Sequence, residues 1–263
     1  RTEMAVTEFP ARISAIHNII SLLRMANTSL MSMVIGGRFC LRNIICAIKP
    51  VMAIAFVCFR TLRHGIGVWY FEECVSRSYA MPPQPFLRIY CLENESYGSA
   101  PMLSEVGGAY NVDMSKLLDW LKVKLKIDIN LVAKLLPDIF IGTASNNYER
   151  IFTTTVHELS HASHFRQAGP SYWQQYIQYI LNCWNDGLAT YGDRLTANNG
   201  RCGVGEIWGH FSGRWFFQYY QYGSPNENYP NSEEMKYWFK PQIFWELAYY
   251  DILTPRQLFN CLT

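Results

Sequence analysis

The sequence predicts an α+β fold with a small mixed or antiparallel sheet and a mostly helical C-terminal part. Three observations support this class. Apolar residues recur at helical spacing through residues 148–163, short runs typical of strands precede that segment, and aromatic rings at helical spacing dominate the chain after it. With 263 residues the chain is long enough for one large domain or two small ones.

The first third of the chain predicts a helix and buried strands. Residues 1–35 carry isoleucine and leucine at helical spacing, which indicates an amphipathic helix. The apolar run 30–59 is interrupted by charged residues and a proline, so none of its pieces reaches the ~20 residues that a membrane span needs. We therefore expect buried strands there, including Val51–Phe59, and no transmembrane span. The prolines of Met81–Pro85 give the strongest boundary signal and divide the chain into an N-terminal region, 1–85, of unknown role and a domain at 86–263.

The first half of the second domain alternates between strand and helix signals. Phe86–Leu92 predicts a strand, and Gly98–Gly108 is typical of a loop. Leucines on one side of Met114–Lys124 predict a helix, whereas strict alternation along Val123–Leu131 favours a strand, so we expect the helix to give way to a strand. Asp138–Ile141 predicts one more short strand.

The best-defined helix comes directly after that strand. Asn146-Asn147-Tyr148-Glu149 contains a capping residue with an acid three positions later, and Gly169-Pro170 is a stop signal. One side of the helix between them is apolar. The opposite side carries His157 and His161 together with small threonines, a pattern typical of a helix that forms the bottom of a cleft.

These two histidines belong to the motif His157-Glu158-x-x-His161. On a helix the i, i+4 spacing directs both imidazoles toward one point, where a zinc ion can be held. The glutamate after the first histidine is then placed to take a proton from the attacking water. As a purely structural element, the segment would be a surface helix whose histidines have no role.

The run Thr155–Ala162 resembles the active-site helix of the zincin metallopeptidases. In that family the two histidines bind zinc, the glutamate is the general base, a third ligand comes from later in the chain, and an edge strand beside the cleft holds the substrate backbone. The resemblance therefore implies a zincin-like catalytic domain with Zn²⁺ at His157 and His161 and with Glu158 as general base. Val123–Leu131 or Asp138–Ile141 would supply the edge strand.

Several subgroups of that family do not fit. The metzincin pattern needs a glycine and a histidine where this chain has His164 and Gln167. His164 also lies about 10 Å along the helix axis from His157, too far to share a metal ion. The thermolysin-like spacing would need a glutamate near Leu181, and the aspzincin pattern an aspartate at Leu188.

Glu206 is the best candidate for the third ligand. It follows what we interpret as a glycine-rich turn and opens a helix. This arrangement resembles the gluzincins, whose third ligand is a glutamate on a later helix. Asp186, Asp193 and His210 remain alternatives, and a structural interpretation of Glu206 is a first-turn glutamate that interacts with the helix dipole.

His210 lies four residues after Glu206 and therefore on the same helical face. It would orient the glutamate or stabilise the oxyanion of a tetrahedral intermediate, or else be a partly buried histidine bonded to backbone. We expect His164 at a cleft wall or on the surface.

The remaining C-terminal sequence predicts helices and an aromatic core. Tyr172–Trp184 predicts a long helix, followed by loop as far as Gly205, and Thr254-Pro255 is typical of the start of a last short helix. We expect most of the rings after residue 207 to be core residues, although some could line a cleft for substrate or sugar.

Composition excludes some classes of protein. Hydrophobic content of 49% and charged content of 17% are globular, and a net charge of +2 does not favour a nucleic-acid partner. The eight cysteines include no CxxC pair. Free buried thiols are the simplest interpretation, and a disulfide between Cys183 and Cys202 is the alternative.

Because most relatives suggested by the motif act outside the cytoplasm, we expect an exported protein.

The sequence therefore predicts a zinc metallopeptidase that acts on a peptide or protein substrate. The residues expected to carry the reaction are Glu158 and His210, with zinc held by His157, His161 and Glu206. The alternative hypothesis is a noncatalytic cell-envelope module that binds sugar or peptide and retains a vestigial metal site. Glu206 discriminates between the two, because the module is favoured if this glutamate lies far from the histidines.

Overall fold

The computed structural model describes residues 65–67, 69–84, 87–92, 95, 97–105, 114–125, 137–142, 144 and 147–262. The helix predicted within residues 1–35 and the strands predicted between 30 and 59 lie outside the described residues. The boundary predicted near residue 85 stays a prediction.

A three-stranded mixed sheet lies on the N-terminal side of the motif helix. Its strands are β1 (Ile89–Leu92), β2 (Gly98–Ser99) and β3 (Ile139–Gly142), in the order β1-β3-β2. β1 pairs parallel with β3 and β2 pairs antiparallel with it. All four residues of β3 are buried, as expected for the central strand of a sheet with a packed face. The predicted small mixed sheet is therefore confirmed.

Helices make up most of the described chain. They are α1 (Met114–Leu125), α2 (Tyr148–Ala168), α3 (Pro170–Asn185), α4 (Gly200–Tyr222), α5 (Gln242–Tyr249) and α6 (Pro255–Asn260), with a 3₁₀ turn at Glu234–Lys236 and helical residues at 65–67 and 69–76. None of the described helices is both long and apolar enough to cross a membrane. The described fold is mixed α+β with mostly helical content, as predicted.

The motif helix α2 ends where the sequence signals it and begins one residue later than the cap spacing of Asn146 and Glu149 predicts. The Asn147 side chain caps it by accepting a hydrogen bond from the Arg150 amide, so the cap is the second of the two asparagines. Gly169 ends the helix with φ of 79°, a backbone conformation that residues other than glycine rarely adopt. Pro170 then occupies the first turn of α3, where a missing amide proton costs little.

Three predictions about elements are wrong. Gly98–Ser99, predicted as loop, forms β2, because its backbone pairs with Phe140 and Ile141 of β3. The change from helix to strand does not occur by residue 125, where α1 still continues. Residues 126–131 lie outside the described residues, so a strand there stays a prediction. The glycine-rich segment before Glu206, predicted as a turn, belongs to α4, which begins at Gly200.

One hydrophobic core joins the helices and the sheet. It contains the buried rings of Tyr70, Phe152, Trp208 and Trp245 among many others. Of the rings after residue 207, nine are buried, others such as Tyr220 and Tyr249 are partly buried against the core, and four are exposed: Tyr219, Tyr222, Tyr237 and Tyr250. Cys183 and Cys202 are both buried free thiols. Burial of this many rings stabilises the packing on which the position of α2 and α4 depends.

Candidate metal centre

The two histidines of the motif face each other across one turn of α2. Their Nε2 atoms are 3.0 Å apart, and the ring planes are nearly perpendicular, at 83°. Both imidazoles are largely buried, with side-chain exposures of 13% for His157 and 5% for His161. The helix thus places two nitrogen lone pairs at one point, as the i, i+4 spacing predicts.

Glu206 reaches the same point from α4. Its Oε2 is 3.5 Å from His157 Nε2, and its Oε1 is 3.7 Å from His161 Nε2. Ligand atoms about 2.0–2.1 Å from a tetrahedral zinc ion lie roughly 3.3 Å from one another. The separations of 3.0, 3.5 and 3.7 Å are near this value, with Glu206 directing Oε2 toward His157 and Oε1 toward His161. The carboxylate therefore faces both imidazoles, but each with a different oxygen atom.

A row of glycines on α4 permits this approach. A Cβ atom on Gly209 would lie 2.8 Å from the His157 ring, and one on Gly213 would lie 2.7 Å from the backbone oxygen of Thr153. Residue 153 of α2 contacts residue 213 of α4, and residue 157 contacts residue 209. The numbering therefore rises along one helix as it falls along the other, and α2 and α4 pack antiparallel. Gly205 belongs to the same row and lies against the ring of Tyr176 in α3. The contacting residues are four positions apart on each helix, so they lie on one face of α2 and one face of α4.

The Glu206 carboxylate is held on one side and open on the other. The buried hydroxyl of Tyr176 donates a hydrogen bond to Glu206 Oε1. Glu206 Oε2 is buried and has no hydrogen-bond partner among the described residues. A buried carboxylate oxygen that faces two imidazoles without a donor is a fitting ligand for a divalent cation, because a cation would remove the cost of its desolvation.

Two of the three groups, His161 and Glu206, have protonation states that suit metal binding. Burial, and then the charge of His157, lower the pKa of His161 to about 3, so this imidazole is neutral, as a ligand must be. Burial alone would raise the pKa of Glu206, but the interactions with His157 and His161 lower it to about 2. Burial alone would lower the pKa of His157, yet the carboxylates of Glu206 and Glu158 raise it above its usual value. A proton and a cation therefore compete for the His157 nitrogen.

Glu158 lies beside the two histidines and against the sheet. Its carboxylate occupies the space where a side chain on Gly98 of β2 would be, and its Oε2 has no hydrogen-bond partner among the described residues. Burial raises the pKa of Glu158 to about 8, although the charge of His157 opposes the shift. A cation held by the neighbouring ligands would lower this pKa again and keep the carboxylate ionised at neutral pH.

His210 borders the site from the side opposite His161. Its ring centroid is 4.6 Å from that of His157, and its Nε2 is 3.9 Å from Glu206 Oε2. Its Nδ1 is 3.4 Å from Glu234 Oε2, and Arg214 and Tyr229 also donate to Glu234. This carboxylate fixes the direction of the His210 ring in the manner of an orienting partner.

The structure brings the five main candidate residues together in two sets that share His157. Ligand atoms within 4.8 Å of one another occur in two sets among the described residues: His157 with Glu158 and His161, and His157 with Glu206 and His210. Asp186 and Asp193 belong to neither set, and both are exposed.

His164 is not where the sequence placed it. It is buried at 0% exposure rather than at a cleft wall or on the surface, because its Nε2 pairs with the backbone oxygen of Leu262 at 2.8 Å. Burial lowers its pKa to about 4, so the ring is a neutral core residue.

Sequence reasoning also missed three contributors to the site. Gly98, Tyr176 and Glu234 come from elements far from the motif in sequence, and no local pattern marks the first of them. The four-residue repeat of Gly205, Gly209 and Gly213 was a visible signal, since glycines at this spacing share one helical face.

No protein-family model, no curated protein and no solved structure matches this chain.

Proposed function

We propose that this chain is a zinc-dependent metallopeptidase with a gluzincin-like catalytic domain that hydrolyses peptide bonds. The observation that carries the proposal is the convergence of Glu206 from α4 on the two HExxH imidazoles of α2, with Glu158 beside them at a cavity. The chain's resemblance to zincins over Thr155–Ala162 agrees with this geometry. An exported location, expected from the same resemblance, remains a prediction.

His157, His161 and Glu206 would hold the metal ion. Two imidazoles and one carboxylate at these separations suit zinc among the common divalent cations. Zinc bound there supplies a Lewis acid that polarises the scissile carbonyl and acidifies water. The hydroxyl of Tyr176 keeps the Glu206 carboxylate in its orientation.

Glu158 would act as general base and then as general acid. Its carboxylate borders the cavity and its Oε2 is free of hydrogen bonds to described residues, so it can accept the proton of the attacking water. The same proton would pass to the amine that leaves. This role needs the ionised form at the start of the reaction, which a bound cation favours.

The edge strand β2 would bind the substrate backbone. β2 lies at one edge of the described sheet, and Gly98 borders the same cavity as Glu158. An extended peptide that adds to this edge would bring its carbonyl groups past the general base. β3, which the sequence nominated for this role, is the central strand of the described sheet. Of the other nominated segment, residues 123–125 are helical and 126–131 lie outside the described residues.

His210 would stabilise the oxyanion. Its Nε2 is 3.9 Å from Glu206, too long for a hydrogen bond, which argues against a role in holding that glutamate. Its Nδ1 points to Glu234, and the ring borders the polar cavity next to the histidines. With Nδ1 directed to Glu234, Nε2 can donate to the oxyanion only when the ring is the imidazolium. Burial lowers the pKa of His210, and the Glu234 carboxylate opposes that shift by favouring the protonated form.

The alternative hypothesis, a noncatalytic binding module, is favoured if Glu206 lies far from the histidines. The separations of 3.5 and 3.7 Å favour the hydrolase instead.

Hydrolysis of casein and of a peptide mixture by the zinc-loaded full chain tests the proposal. We expect peptide-bond cleavage that Glu158→Gln reduces by about 100-fold to 10,000-fold while zinc content is unchanged. Activity of Glu158→Gln equal to wild type, or no cleavage by zinc-loaded wild type, would overturn the proposal.

A further inference from the structure

Two cavities of opposite character meet at the candidate metal centre. One has a volume of about 300 Å³ and the other about 520 Å³. Both are lined by the same five residues at their junction: Tyr97, Gly98, His157, Glu158 and Tyr191. A peptide lying across the site would therefore extend into one cavity on each side of the reacting bond.

The smaller cavity is apolar. Its walls come from α1, through Leu117 and Trp120, and from α3, through Ile177, Ile180 and Leu181. Apart from the histidines and glutamates of the metal centre, every residue that lines it is uncharged. Its volume is at the lower end of ligand-binding cavities and suits one large side chain.

The larger cavity is polar. It is lined by charged groups of both signs, among them Glu149, Arg214 and Glu234, and by the amide of Asn231. Arg214 forms ion pairs with Glu149 at 2.6 Å and with Glu234 at 2.7 Å, so the charges on this wall are largely compensated. Hydrated or hydrogen-bonding groups of a substrate can be accommodated here without losing polar partners.

We propose that the substrate is a peptide segment with a bulky uncharged side chain, aromatic or large aliphatic, next to the scissile bond, and that this side chain occupies the smaller cavity. Polar residues on the other side of the bond occupy the larger cavity. This inference rests on the proposed function for the reaction, but the binding preference itself does not require turnover.

The selectivity follows from desolvation. A phenylalanine or leucine side chain gains free energy when its apolar surface leaves water. An aspartate or lysine side chain in the same cavity would lose its hydration, and the walls from α1 and α3 offer it no opposite charge. The charged groups that line this cavity all belong to the metal centre. We therefore expect at least a tenfold preference in affinity for the bulky uncharged residues.

Binding is measured with a variant that does not turn over the ligand. Zinc-loaded Glu158→Gln protein is titrated calorimetrically with five blocked peptides, Gly-Ser-X-Ser-Gly, in which X is Phe, Leu, Ala, Asp or Lys. We expect the Phe and Leu peptides to bind at least tenfold more tightly than the other three. Equal affinities, or no detectable binding of the Phe and Leu peptides, would overturn the inference.

Ile180→Glu tests whether the smaller cavity is responsible. Ile180 is only partly buried, so the variant is expected to fold. It should lose the tenfold preference for Phe and Leu, whereas the matched control Ile243→Glu, at an exposed position of α5, should keep it. A preference that survives in Ile180→Glu would overturn the assignment to this cavity.

Cleavage of the same peptides by wild type separates this inference from the proposed function. Selective binding without cleavage would contradict the peptidase and support the binding preference. Cleavage of all five peptides at similar rates would support the peptidase and contradict the substrate preference.

Discussion

The two faces of α4 differ in what they contribute. One face carries Gly205, Gly209 and Gly213 and lies directly against α2 and α3. The other carries the rings of Trp208, Phe211 and Trp215, which pack against α5 and α6.

The glycine face positions the metal-binding residues, whereas the aromatic face stabilises the fold. On the glycine face there is no side chain to adapt, so the two helix backbones lie in close contact, and the position of Glu206 depends on that contact. On the aromatic face large buried rings supply contact area whose exact arrangement matters less to the metal centre. Changes on the first face should therefore alter metal binding, and changes on the second should alter stability.

The largest effect is expected on the aromatic face. Trp245→Ala removes a fully buried ring of α5 that packs edge-on against Trp215 at 5.1 Å and donates to the Asn226 backbone. We expect a loss of about 3–5 kcal/mol in the free energy of unfolding, measured by chemical denaturation of the metal-free protein. At temperatures where the variant is folded, its affinity for zinc should stay within about threefold of wild type. A larger loss of zinc affinity in the folded variant would contradict the separation of the two faces.

A change on the glycine face should instead lower the affinity for zinc. Gly209→Ala places a methyl group 2.8 Å from the His157 ring, which must then move away from the common point of the ligands. We expect the affinity for zinc to fall by about 10-fold to 100-fold, the range found when the orientation of a ligand is lost. Competition titration with a chromophoric chelator measures it.

Gly200→Ala is the matched control for that variant. Gly200 lies on the same helix, but a Cβ atom added to it would have no neighbouring atom within 4 Å, so alanine there should leave zinc affinity unchanged. Equal zinc affinities for Gly209→Ala and Gly200→Ala would show that the close approach of the helices does not position His157.

A smaller effect is expected at the end of the glycine face, where Arg214 and His210 meet Glu234. Burial alone would raise the pKa of Glu234, but the hydrogen bonds from His210 and Arg214 lower it well below its usual value. A carboxyl group with a lowered folded-state pKa adds stability above its unfolded pKa of about 4.3, and this stability is lost as the pH falls through the folded-state pKa.

Glu234→Gln should therefore reduce the dependence of stability on acid. We expect the decrease in unfolding free energy between pH 7 and pH 3, in metal-free protein, to be about 1–3 kcal/mol smaller in the variant than in wild type. The same decrease in both proteins would mean that Glu234 is not held ionised by its two partners.

The sequence was sufficient for the elements whose signals are local. The stop signal of α2, the short strand β3 and the spacing of His157 and His161 are all set by neighbours in the chain, and the start of α2 was predicted to within one residue. The structure also brings Glu206 to the histidines, as the sequence suggested.

The features that the sequence did not reveal depend on distant contacts. The segment from Gly200 to Gly205 resembles a turn because glycine disfavours helices, yet packing of Gly203 against Trp238 and of Gly205 against Tyr176 in α3 outweighs that preference of about 1 kcal/mol per residue. β2 is only two residues long and is defined by its pairing with β3. The burial of His164 depends on a carbonyl group 98 residues later.

Zinc content of the purified protein tests the central claim most directly, with Glu206→Ala compared with Asp186→Ala. Elemental analysis after incubation with zinc and removal of the excess should give about one zinc per chain for wild type and for Asp186→Ala, and almost none for Glu206→Ala. Zinc retained equally in Glu206→Ala, or absent from wild type, would contradict a metal centre built jointly by α2 and α4.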